Sequence, residues 1–250
     1  MVRAIQLLKT FSHERPALSL AELSKQRRLS RTTTHRLLAA LESEELVARD
    51  PVAGTYRLGP GVIALGAQAL IDNDLRTVVG PELEALAAET GETATLEILA
   101  DGQMLILSEV QGRHLVTVAA ETGTMWPIHA TSTGKAILAA LPRERLHELV
   151  HAPLRRITSS TITGIRALLR EVETVRERGY ATVSGELEPG AAAVAAAVHD
   201  SDGVVGAVSL GGPVARLTDQ RMAELGATLQ SRAALLSSRL QTHTSRSQEA

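Results

Sequence analysis

The stretch LSRTTTHRLLAAL, Leu29 to Leu41, gathers hydroxyls and cations at one place. Ser30, Arg31, Thr32, Thr33, His35 and Arg36 stand ahead of an apolar stripe formed by Leu37, Leu38 and Leu41. Threonine is a mediocre helix former, so three in succession are not what helix stability alone selects. Side chains of these types can donate to phosphate oxygens. Arginine can also take the paired acceptors of guanine, and threonine can meet a thymine methyl. The unpaired N–H groups of a helix start favour phosphate as well. Arg27 and Arg28 before the stretch, and Arg57 after it, could add backbone contacts. The plain alternative is a solvated helix start with threonines as caps.

A second set of chemistry-bearing residues lies in PIHATSTGKAILA, Pro127 to Ala139. Ser132 and Thr133 precede a predicted helix, and with its first N–H groups they would make a carboxylate site. Simple N-capping is compatible with that use. His129 could touch a ligand or be half-buried and bonded to backbone. Lys135 does not belong to a phosphate-binding loop: the spacing from Gly123 to Gly134 is too long and Ala136 follows the lysine. It would pair with a carboxylate instead. Glu186 and Glu188, in GELEPG, could contact a ligand or a metal, although a solvated turn is the simpler reading. Ser209 is either a pocket hydroxyl or an ordinary strand residue. The alanine-rich run Gly190 to Val198 reads as a closely packed strand whose small side chains would leave space above a sheet.

The elements that must position these residues follow from periodicity and punctuation. Val2 to Phe11 has helical apolar spacing, and Ser12 to Ala17 is a break. Ser19 with Glu22 forms a capping box for a short second helix ending near Arg27 and Arg28. Ser30 caps a third. Leu46 to Arg49 and Tyr56 to Leu58 read as two strands around a turn at Asp50, Pro51 and Gly54. Helix, helix, turn, helix and hairpin make a winged helix-turn-helix, whose last helix lies in the DNA major groove. Helical patterns are predicted over 62–72 and 75–89, then over 134–141, 143–150, 164–178 and 216–240. Strands are predicted over 93–99, 103–110, 115–119, 180–184, 192–199 and 204–210. Adjacent strand pairs with flanking helices indicate an α+β domain.

Charge supports this division. Residues 1 to 60 carry ten Lys/Arg and six Asp/Glu, whereas the remainder carries sixteen and twenty-two. A basic segment on an acidic body calls for an anionic partner at the small part only. The chain has no cysteine, which excludes disulfides and cysteine-based zinc sites. No cofactor motif is present, and no metal is implied. No apolar run is long enough to span a bilayer, so no membrane partner is expected. MVRAIQLLKTF is amphipathic and reads as a helix rather than a signal peptide, and a cytoplasmic location is expected. The four aromatics, Phe11, Tyr56, Trp126 and Tyr180, are too few for a platform that stacks single-stranded nucleic acid.

LAELSKQRRLSRTTTHRLLAALESEELV followed by YRLG, then PIHATSTGKAILA, GYATVSGELEPG and AAAVHDSDGVVGAVSLGGP, together resemble the IclR-type transcriptional regulators of bacteria. The resemblance spans nearly the whole chain. It implies a DNA-binding winged helix-turn-helix at residues 1–60, a linker helix at 61–74, a GAF-like antiparallel-sheet effector-binding domain at 75–241, and a polar tail at 242–250. It implies a homodimer or dimer of dimers on a double-stranded operator, acting as repressor or activator. It further implies a small-molecule effector, an organic acid or aromatic compound, anionic in the reading of Ser132 and Thr133 above. Carried onto this sequence, the family pocket would use Trp126, Ser132, Thr133, Ser209 and Gly211. Leu115 and Val118 would be apolar lining, with Ala191 and Ala193 beside them. Three departures stand out. Val183 occupies a place where many relatives carry aspartate, and Trp126 one often filled by a smaller apolar residue. Thr34 stands where relatives usually have an aliphatic side chain. Two other readings remain: a small-molecule enzyme with an accessory nucleic-acid domain, and a constitutive DNA binder with a vestigial sensor. No motif for hydrolase or metalloprotease chemistry accompanies the former.

Overall fold

The computed structural model describes residues 1–12, 15–71, 73–114 and 121–248. The predicted strand 115–119, and with it Leu115 and Val118, lies outside the described residues. The chain forms two compact units, Met1–Asn73 and Asp74–Ala250.

The first unit begins with α1 (Val2–Leu8), β1 (Ala17–Ser19), α2 (Leu20–Arg27) and α3 (Arg31–Ser43). The hairpin β2 (Val47–Arg49) and β3 (Thr55–Leu58) follows, then α4 (Pro60–Ile71). Both caps form: the Ser19 hydroxyl accepts from Glu22 N while the Glu22 carboxylate accepts from Ser19 N. Ser30 accepts from Thr33 N. Leu7, Leu18, Leu23, Leu38, Leu41, Val47 and Tyr56 make the core. One element differs from expectation. Three residues before α2 form β1, which pairs antiparallel with β3, so the wing is a three-stranded sheet in the order β1-β3-β2. A three-residue strand next to Pro16 carries no periodicity to find.

The second unit contains α5 (Asp74–Thr90), β4 (Thr93–Ala100), β5 (Gln103–Val110), β6 (Met125–Pro127), α6 (Ser132–Ala140), α7 (Arg143–Leu149) and α8 (Ile165–Arg178). It closes with β7 (Ala181–Ser184), β8 (Ala191–His199), β9 (Val204–Pro213) and α9 (Asp219–Gln248). The strands form one antiparallel sheet, β6-β5-β4-β9-β8-β7. Successive residues Val194, Ala195 and Ala196 are all buried, so both faces of the sheet are covered. The final helix starts at Asp219 rather than Arg216 and continues past the predicted end.

Helix α6 is the buried element of this unit: every residue from Ser132 to Ala139 is buried. It packs against β8, β9 and α8. Its end is held by Arg176 of α8, whose Nε donates to the Ala139 carbonyl (2.9 Å) and Nη2 to the Leu141 carbonyl (3.1 Å). At its start, a Cβ on Gly134 would collide with the Ile128 carbonyl, which explains a glycine there.

Candidate functional site

In the first unit the three threonines of α3 divide into three roles. Thr34 is fully buried, and its hydroxyl donates to the Ser30 carbonyl (3.0 Å). A polar residue therefore sits in the core at the cost of one local hydrogen bond. Thr33 belongs to the cap: its hydroxyl accepts from Ser30 Oγ (2.8 Å). Thr32 is exposed, as are Ser30, Arg31, His35 and Arg36. The cap and first two turns of α3 thus present two cations, a histidine and two hydroxyls to solvent, while Leu38 and Leu41 anchor its other face.

The flanking cations are less alike. Arg28 is exposed and has left-handed backbone (φ 52), which makes the turn between α2 and α3. Arg27 is half-buried, and its Nε donates to Thr10 Oγ1 (2.7 Å), so it ties α2 to the end of α1. Arg57 is exposed on β3, opposite Ala48. The wing turn is closed by Asp50, whose carboxylate accepts from Val52 N and Ala53 N (2.8 and 3.0 Å). The N–H groups of Ala53 and Val52 hold that carboxyl below the usual range, with a smaller pull from Arg57.

The second unit holds a cavity of about 70 Å³ between β4, β8 and the start of α6. That is room for several water molecules or a small group of heavy atoms. The structure brings Trp126, Ser132, Thr133, Val183 and Glu186 together on its wall, with Ala191, Ala193 and Gly211. Ser209 stands one bond behind the wall, its hydroxyl 2.7 Å from Thr95 Oγ1. His129 lies elsewhere: its ring Nε2 is 2.9 Å from the Arg155 carbonyl, which is the backbone-bonded alternative for that residue.

Sequence reasoning missed Ala130, Thr131, Leu187 and Ala192 on the wall, and with them three polar residues of β4: Thr93, Thr95 and Glu97. The three on β4 are the chemically telling ones. They alternate along β4 and so share one face. Glu97 is 2 % exposed. Its carboxyl accepts from Thr133 Oγ1 (2.6 Å) and Thr95 Oγ1 (3.1 Å). Burial pushes it up to about 7, against the lowering effect of the Thr133 and Thr95 hydroxyls. The cap of α6 is Thr131, whose Oγ1 accepts from Gly134 N (3.1 Å), so Ser132 and Thr133 lie in the first turn rather than ahead of the helix. The hydroxyl of Thr133 is committed to Glu97, which leaves the Ser132 and Thr133 N–H groups as the donors of that turn.

Glu186 departs from the solvated-turn reading. It is 8 % exposed, and Oε1 accepts from Lys135 Nζ at 2.5 Å. The turn that carries it is fixed from outside: Thr161 Oγ1 donates to the Glu186 carbonyl (2.7 Å) and Thr158 Oγ1 to the Gly185 carbonyl (2.6 Å). Its second oxygen, Oε2, is buried without a partner, as is Thr93 Oγ1. Glu188 lines the cavity mouth and is exposed. Among the described residues no cluster of His, Cys, Asp or Glu could hold a metal ion. No helix is long and apolar enough to cross a membrane, again among the described residues.

Residues 1–51 match the family model for the IclR helix-turn-helix domain, and residues 67–238 that for the bacterial transcriptional regulator IclR C-terminal region. The chain is 32 % identical to the transcriptional repressor IclR of Escherichia coli K12 over 231 residues, 91 % of this chain and 84 % of that protein. It is 31 % identical to the transcriptional repressor AllR of Salmonella paratyphi A, covering 90 % and 83 %. Among solved structures, an IclR regulator from Silicibacter sp. TM1040 superposes with a TM-score of 0.87 at 28 % identity, covering 96 % and 95 % of the two chains. An IclR homologue from Microbacterium hydrocarbonoxydans, solved with 4-hydroxybenzoate, superposes with a TM-score of 0.77 at 25 % identity, covering 96 % and 98 %. With its winged helix-turn-helix and antiparallel-sheet unit, the chain belongs to the IclR family and is a DNA-binding transcriptional regulator.

Proposed function

We propose that the cavity of the second unit is an effector site, and that a small organic acid or aromatic compound held there sets operator affinity. The cavity beside the start of α6, with its polar wall, carries this reading. Its first-turn N–H groups suit a carboxylate, and Trp126 offers a flat face to a planar ligand. The 4-hydroxybenzoate in the relative from M. hydrocarbonoxydans is a ligand of this class. Nothing in this mechanism requires turnover, and the relatives are named as repressors. The regulator acts in the cytoplasm, where its DNA lies.

The DNA contacts are assigned to Ser30, Arg31, Thr32, His35 and Arg36 on α3, with Arg28 and Arg57 on the phosphate backbone. Thr33 and Arg27 support them from the cap and the α1 tether. Arg36→Ala is expected to weaken operator binding by about 1–3 kcal/mol if Arg36 reads a base. Unchanged affinity at fixed salt would remove Arg36 from the interface.

A homodimer or dimer of dimers is favoured by α4, read as part of the linker. Its sequence PGVIALGAQALI is almost wholly apolar, yet Ile63 and Leu65 are 73 % and 63 % exposed. An apolar helix of this length needs a partner surface. Leu65→Glu is expected to shift sedimentation toward a lighter species and to weaken binding to a two-half-site operator. The same sedimentation coefficient as wild type would rule out α4 as the contact.

Effector control is tested with the full chain by fluorescence anisotropy. The duplexes are its own upstream intergenic DNA and a scrambled control, each at two salt concentrations. Added 4-hydroxybenzoate and small carboxylic acids should change affinity for the native duplex about 5- to 150-fold when they fit, a coupling of about 1–3 kcal/mol. An acid that binds the cavity and leaves operator affinity unchanged would sink the proposal.

A further inference from the structure

The cavity wall is unbalanced in hydrogen-bonding character. Glu97 takes one hydroxyl on each oxygen, from Thr95 and from Thr133. A threonine has one hydroxyl proton, so both protons are spent and both hydroxyls turn only lone pairs to the remaining space. Ser209 must then donate to Thr95 across their 2.7 Å contact. Glu186 Oε2 adds a further acceptor, buried and without a partner. The cation nearest to it, Lys135, is bound to the other oxygen of the same carboxylate. Against these acceptors stand the N–H groups of Ser132 and Thr133, the Ser132 hydroxyl and the unpartnered Thr93 hydroxyl, the Gly134 N–H being held by Thr131. A buried acceptor left unmet is costly, most of all on a carboxylate. The occupant that meets this wall carries a carboxylate for the N–H groups and a separate O–H or N–H for Glu186.

We infer that the effector is a hydroxy- or amino-substituted small acid, whose O–H or N–H is received by Glu186 Oε2 beside the Glu97 hydroxyl cluster. The inference rests on reading the cavity as the effector site. It makes Glu186 a specificity residue, since acids lacking the donor leave its oxygen unmet. Val183, an apolar wall residue, offers no competing polar contact.

The only tryptophan, Trp126, lines the cavity and reports binding by its fluorescence. The full chain is titrated at pH 8 with acids paired to differ by one hydroxyl: glycolate and acetate, lactate and propionate, 4-hydroxybenzoate and benzoate. In a pair that perturbs Trp126, the hydroxy acid is expected to bind about 10- to 100-fold tighter, the range for a hydrogen bond to a charged group. Glu186→Gln replaces the waiting acceptor by an amide and should reduce that ratio to about 3-fold or less. If this variant does not fold because buried Lys135 loses its partner, Glu97→Gln serves instead. Its amide donates to one threonine oxygen, returns that hydroxyl proton to the cavity and should narrow the same ratio. Equal binding of both members of a pair overturns the inference while leaving the effector site standing. Failure of every acid to perturb Trp126 overturns both.

Discussion

Lys135→Met is expected to destabilise the second unit by about 3–5 kcal/mol, the usual cost of removing one partner from a buried ion pair. Lys135 is 1 % exposed and Glu186 8 %, and their contact is 2.5 Å. Without Lys135 the Glu186 Oε1 loses its partner and joins Oε2, which has none, so the buried carboxylate is left unmet on both oxygens. The double variant Lys135→Met with Glu186→Gln should recover most of the loss, because two neutral groups do not carry the desolvation cost of one stranded charge. Urea unfolding followed at Trp126 reads this unit alone, since the chain has no other tryptophan. A single variant as stable as wild type, or a double variant no better than the single, would show that the pair does not hold the turn after β7 in place.

The second expected result depends on pH. The Glu97 carboxyl is pushed up to about 7 by burial, from a value of 4.5 in the unfolded chain. Between those values the folded state keeps a proton that the unfolded state releases. The stability contributed by this group is therefore complete below about pH 4.5 and is lost as pH rises through about 7. Above that, ionising it in place costs about 3 kcal/mol relative to the acid limb. Glu97→Gln removes the titration. It is expected to raise stability by up to about 3 kcal/mol at pH 8 relative to its effect at pH 4.5, where both side chains are neutral. Urea midpoints of the two proteins at the two pH values decide the matter. An offset that does not change with pH would mean that Glu97 ionises as readily in the fold as in water.

Much of this architecture was legible because local signals and burial agree. Ser19 with Glu22, and Ser30 before Arg31, mark helix starts that form where their caps lie. The stretch 192–199 reads as a strand and lies in β8, and small side chains of that strand do border the cavity. The illegible parts have physical reasons. Strands β1 and β6 are three residues long, too short for an alternating pattern. Thr34, at a position where relatives usually have an aliphatic side chain, is turned to the core with Leu38 and Leu41 by the 3.6-residue period, and only the fold shows how its hydroxyl is met there. Glu186 looks solvated in GELEPG because its partner Lys135 is 51 residues away. Glu97 was the largest omission. In TATLEIL, Thr93, Thr95 and Glu97 keep the two-residue period of one strand face. A polar face on a central strand was visible in the sequence, but only the fold shows that Thr133 and Glu186 close over it.

Helix α6 has a mechanical consequence. It has no solvent-facing side on which to roll, its start borders the cavity, and its last carbonyls are gripped by Arg176. A hydrogen-bonded helix is stiff along its axis, so its two ends are mechanically joined. The helix is a strut between the two: Thr133 stands at the cavity end and the Ala139 carbonyl, held by Arg176 of α8, at the other.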